Sequence, residues 1–159
     1  MPPNLVIGCG NPDRGDDGAA LHVVNHLRAR LGQSSLSEDD GGLSDLGRET
    51  AVFVPQLVPE LAVDAAAYES LVLVDAHVSP ELRPVVYLRL QPEYRLPVLS
   101  HQWSPAVFVW LVQAANGRNR AAFLVTLRGH CFELQRGLSP ATAALVTPAA
   151  EKIIELLAA

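Results

Sequence analysis

Apolar positions along the chain fall into short continuous runs separated by stretches with helical spacing. Leu5-Val6-Ile7, Ala51–Val54, Leu71–Val74 and Ala121–Leu127 are runs of the kind that buried strands show. Val85–Leu90 alternates more, with Tyr87 and Arg89 on one face, and predicts a strand nearer a sheet edge. Between the runs, Ala20, Val23, Val24, Leu27 and Leu31 recur with a helical period, and Gly32 is placed to end that helix. Pro59–Ala67 predicts a second helix, with Leu61, Ala65 and Tyr68 on one face. Ser104-Pro105 and Ser139-Pro140 are both helix starts, a capping hydroxyl followed by proline at the first helical position. The helix 106–115 is apolar on almost every side, which predicts packing on several neighbours. The last helix runs to Leu157, with a kink or break near Pro148. Strands alternating with helices predict a three-layer α/β/α domain around a mostly parallel, twisted sheet of about five strands.

A single domain spanning residues 1–159 accommodates this pattern. Residues 33–49, rich in Ser, Gly and acidic side chains and without periodicity, predict a mobile surface loop. A net charge of −5 argues against nucleic acid or an anionic membrane as partner. No apolar run approaches a membrane span, and Met-Pro-Pro-Asn does not begin a signal peptide. Two cysteines, Cys9 and Cys131, are too few for a disulfide framework and fit a reducing cytoplasm.

The stretch Leu5–Gly18, L-V-I-G-C-G-N-P-D-R-G-D-D-G, ends a strand, crosses its carboxyl end as a polar loop and opens a helix. In open parallel sheets ligands bind at that edge. Asp16 suits the helix N-cap, which leaves Asp17 free to point into the crevice. Asp75 follows another central strand, and His101 lies just before a helix. Two carboxylates and an imidazole suit a divalent transition metal, and three protein ligands leave positions open for water or substrate. Against this stand plainer roles: a capping Asp17, a turn Asp75 and an exposed loop His101.

Other candidates are weaker. Cys9 with His101 as base would make a thiol protease, but a strand-end cysteine without a cationic neighbour is more often inert packing. His77 invites a reading as a fourth ligand, and a solvent-exposed turn is the plainer one. His130-Cys131 lacks a second pair at zinc-finger spacing. His22 and His26 fall on the polar face of the first helix without an H-E-x-x-H glutamate and read as solvated. The glycines at 8, 10 and 15 are out of register for a dinucleotide fingerprint.

L-V-I-G-C-G-N-P-D-R-G-D-D-G, then L-V-L-V-D-A, S-H-Q-W-S-P and R-G-L-S-P, in that order from Leu5 to about Leu157, resemble the nickel–iron hydrogenase maturation endopeptidases. The resemblance implies a compact α/β protein that removes a C-terminal peptide from a hydrogenase large-subunit precursor once nickel is in place. By motif match, it assigns the metal ligands to Asp17, Asp75 and His101, with nickel supplied by the substrate. Two departures accompany it. Asp17 stands where many members carry Glu, and Pro55-Gln56-Leu57 stands where many carry an Asp-Gly-Gly turn after the second strand. A non-catalytic nickel-sensing or chaperone module on the same fold is the alternative.

Overall fold

The computed structural model describes residues 4–39, 50–93 and 104–158. His101 and most of the 33–49 segment, with its expected mobility, lie outside the described residues. Strands β1 (Asn4–Cys9), β2 (Ala51–Val54), β3 (Ser70–His77), β4 (Val85–Arg89) and β5 (Ala121–Arg128) form one sheet in the order β2-β1-β3-β5-β4. Every pairing is parallel except β4 against β5. The expected α/β architecture and edge strand are present. A 3-10 turn, Gly15–Gly18, precedes helix α1 (Ala19–Arg30), and the remaining helices are α2 (Pro59–Ala65), α3 (Pro105–Asn116), α4 (Pro140–Ala143) and α5 (Val146–Ala158).

Successive strand side chains point to opposite faces, so each run feeds two cores. On one face Leu5, Ile7, Leu71 and Leu73 pack with Leu61 of α2 and with Phe108 and Val112 of α3. On the other, Val6, Val72, Val74 and Val125 pack with Val23 and Val24 of α1 and Ile153 of α5. Gly8 lets α1 lie close on β1, since a Cβ there would meet Val24 Cγ2 at 2.8 Å.

Three local expectations change. The strand β3 continues two residues past Asp75, pairing Asp75 with Thr126 and His77 with Arg128. Helix α3 buries one face, Val107, Phe108, Val109 and Val112, while Ala114 and Ala115 are exposed. The last helix is two: the break falls before Val146, which puts Pro148 in the first turn of α5, where its missing N–H costs no helical bond.

Residues 33–39 are tied to α1. Asn25 Nδ2 donates to the Leu36 carbonyl at 2.9 Å and Asn25 Oδ1 accepts from Leu36 N–H at 2.7 Å. Arg28, buried although charged, donates to the carbonyls of Ser34 at 2.7 Å and Ala51 at 2.9 Å.

Candidate active site

The chain leaves β1 for β2 on one side, and β3 adds on the other side of β1, so the sheet has its switch point between β1 and β3. Loops leaving neighbouring strands in opposite directions open a crevice there. A cleft of ≈ 860 Å³ occupies that place, lined by Cys9, Asn11, Asp17 and Asp75 together with Pro55–Leu57 after β2 and Ser104-Pro105 at the start of α3.

Asp17 enters the cleft from the 3-10 turn. Its Oδ2 accepts from Asn11 N–H at 3.0 Å, which ties the side chain to the loop it faces. Gly10 makes this approach possible: at φ 147°, a Cβ there would fall 2.0 Å from the Asp17 carbonyl oxygen. Asp75 enters from β3, with Oδ1 accepting its neighbour's N–H, that of Ala76, at 2.8 Å. Burial raises the Asp75 pKa to about 6, and repulsion from Asp17 works in the same direction. The two carboxylates therefore share one crevice and oppose each other's charge, an arrangement that a cation would relieve.

His101, the third expected ligand, lies outside the described residues. Among the described residues no group of three His, Cys, Asp or Glu side chains is arranged to hold a metal ion. Ser104 and Pro105, which follow His101 by three and four positions, line the same cleft.

Cys9 also lines the cleft, but as a thiol. Burial pushes its pKa far up, the neighbouring Asp75 carboxylate adds to the shift, and Sγ donates to the Val74 carbonyl at 3.6 Å. A thiol so protonated is a poor nucleophile. His77 is a half-buried strand residue, not a turn residue, and its Nδ1 lies 2.8 Å from Thr126 Oγ1. His22 and His26 are half-buried, not solvated, and line a shallow hollow with Leu138, Ala143, Val146 and Thr147.

Asp16 departs furthest from expectation. It does not cap α1, whose N-cap is Gly18. It is fully buried, and its carboxylate accepts from His130 N–H at 2.7 Å, Cys131 N–H at 2.9 Å, Ser139 N–H at 2.8 Å and Ser139 Oγ at 2.7 Å. Thr142 Oγ1 lies 2.9 Å from it as well. Burial would raise its pKa, but these bonds outweigh burial and hold the carboxyl below its ordinary range. Ser139 was visible in the sequence only as a helix cap, which it also is, accepting from Thr142 N–H at 3.4 Å. Nothing in residue spacing links it to a carboxylate 123 positions earlier.

Outside the cleft mouth, Arg136 pairs with Asp13 at 2.7 Å, Glu38 at 3.1 Å and Asp39 at 2.6 Å. These three acids line the cleft, so one guanidinium joins the first loop, the 33–39 segment and the loop after β5 at its rim.

No family model and no curated protein sequence matches the chain. Solved structures do. A hydrogenase maturating endopeptidase, HybD, from Escherichia coli superposes with a TM-score of 0.65 at 22% identity, over 98% of this chain and 91% of that one. The [NiFe] hydrogenase maturation protease HycI from Thermococcus kodakarensis gives 0.64 at 20% identity, over 99% and 94%. A hydrogenase 2 maturation peptidase from a Thaumarchaeota archaeon gives 0.60 at 17%, over 98% and 97%. Over essentially its whole length, the chain has the fold of the hydrogenase maturation endopeptidases.

Proposed function

We propose that this protein is a cytoplasmic processing endopeptidase that removes a C-terminal peptide from a nickel-loaded hydrogenase large-subunit precursor. The observation that carries the reading is the pair Asp17 and Asp75 in one cleft at the switch point of a sheet shared with hydrogenase maturation proteases. His101 is proposed as the third ligand. It precedes the cleft residue Ser104 by three positions, a tether of roughly 10 Å at full extension.

Two carboxylate oxygens and an imidazole nitrogen suit a divalent transition ion, and two like charges in one crevice favour its entry. Nickel belongs to the substrate in this scheme: Asp17, Asp75 and His101 would hold it, and it would supply polarisation of the scissile carbonyl, activation of a water, or both. The protonated Cys9 is not the nucleophile. Pro55, Gln56 and Leu57 line the cleft, and in this scheme the precursor's C-terminal segment would lie against them.

The test is incubation of the purified protein with nickel-loaded and nickel-free precursor, read by mass spectrometry of the large subunit. The expected result is a mass loss with loaded precursor alone, abolished by Asp17→Asn, Asp75→Asn and His101→Ala. Equal cutting of nickel-free precursor would sink the substrate-metal mechanism. Tight binding of loaded precursor with no change of mass would make the protein a chaperone.

A further inference from the structure

The loop between β5 and α4 contributes no side chain to the cleft, yet it is fastened to the residue beside Asp17. The fastening is reciprocal. Gly15 N–H donates to the Gln135 carbonyl and Asp16 N–H to the Cys131 carbonyl, both at 2.8 Å, while the Asp16 carboxylate takes the amides of 130, 131 and 139. Two hydroxyls complete it. Ser139 Oγ donates at 2.7 Å, and the single proton of Thr142 Oγ1 is shared between Asp16 and the Arg128 carbonyl, each at 2.9 Å.

A fully buried carboxylate costs several kcal/mol in desolvation unless its lone pairs are satisfied, and an apolar side chain would fill the same space without that cost. The charge gathers donors from three points of the chain onto one rigid turn. What that turn carries next is Asp17, which shares its backbone and reaches Asn11 N–H with its own carboxylate.

We infer that Asp16 is a positioning residue: by binding the 130–142 segment it fixes the 3-10 turn that aims Asp17 into the cleft. This deepens the proposed function and rests on it for the assignment of Asp17. Displacement of a reacting group by about 1 Å costs on the order of a hundredfold in rate. Loss of the anchor therefore appears in kcat. Affinity for the precursor, set by the wider surface, changes little.

The experiment compares wild type with Asp16→Asn and with Thr142→Val, which keeps the shape and removes one hydroxyl. A third variant, Val112→Ala, truncates the core on the other face of the sheet and controls for lost stability. Four quantities are measured: melting temperature, kcat and KM on nickel-loaded precursor, and exchange of the Asn11 amide, whose bond reports the placement of Asp17. We expect kcat to fall by at least about tenfold in Asp16→Asn and by about threefold in Thr142→Val, with KM within about twofold. Asn11 exchange should accelerate in both. Val112→Ala should melt earlier but keep kcat and Asn11 protection.

Unchanged Asn11 protection in the Asp16 and Thr142 variants overturns the inference. So does a fall in kcat no larger than that of Val112→Ala. Should Asp16→Asn fail to fold, Thr142→Val decides. If the wild-type protein cuts no precursor, the proposed function fails, and Asn11 exchange alone still decides whether Asp16 places Asp17.

Discussion

Cys9 and Asp75 meet at the carboxyl ends of neighbouring strands, where burial disfavours the charged form of both. For Cys9 the consequence is chemical silence. Cys9→Ser should leave processing within about twofold of wild type and cost about 1 kcal/mol of stability, measured by denaturant unfolding. Loss of cleavage in a folded Cys9→Ser protein would return the thiol to the mechanism. For Asp75 the consequence is a site that opposes stability. Its pKa, raised to about 6, means that the folded chain binds a proton more readily than the unfolded one, where the carboxyl titrates near 3.8. Stability therefore falls as pH rises from about 4 to about 6 and stays lowered above. Asp75→Asn should melt a few degrees higher than wild type at pH 7.5 while losing cleavage. Calorimetry of both proteins decides it, and a lower melting point for the variant would show that the carboxylate supports the fold.

Helix α1 shows what an element can hide from its own pattern. Its apolar positions are regular, so the face turned to the sheet was legible, and Gly32 at φ 70° ends it as expected. The polar face was not legible, because nothing in spacing says that Asn25 and Arg28 reach across to residues 34–36 and 51. Residues 33–39 have no apolar period, and side chains supplied by the helix hold them. Removal of both Asn25 bonds in Asn25→Ala should cost about 1–2 kcal/mol, read from the denaturation midpoint. A change within a few tenths would mean that Arg28 and Arg136 hold the segment without Asn25. The same blindness covers Asp16. As a sequence feature, an aspartate before a helix is a cap; as a structural one, it is the far partner of Ser139 and Thr142.

Across the whole molecule, the parallel pairing of β1, β2, β3 and β5 was readable, though not their order in the sheet, because two-sided burial writes itself as continuous apolar runs. Asp17 and Asp75 were legible as candidates, since an α/β sheet brings the carboxyl ends of its strands to one edge, and the family resemblance singled them out from plainer roles. The long-range fastening of residues 15–16 to 130–142 did not follow, being made of hydrogen bonds that leave no periodic trace. That fastening and the crevice pull the molecule's pH dependence in opposite directions. Asp75 is raised and removes stability between about pH 4 and 6. Asp16 is held below its ordinary value near 3.8, because the bonds from His130, Cys131 and Ser139 outweigh its burial. Its contribution is therefore complete above about pH 4 and is lost as pH falls further. Difference curves against wild type separate the two. The gain in melting temperature from Asp75→Asn should shrink as pH is lowered from 7 to 4. The loss from Asp16→Asn should persist from pH 7 to 4 and shrink below it, as wild type itself gives up the anchor. An Asp16→Asn loss that grew steadily below pH 4 would mean that the carboxylate is not the group whose protonation loosens the 130–142 segment.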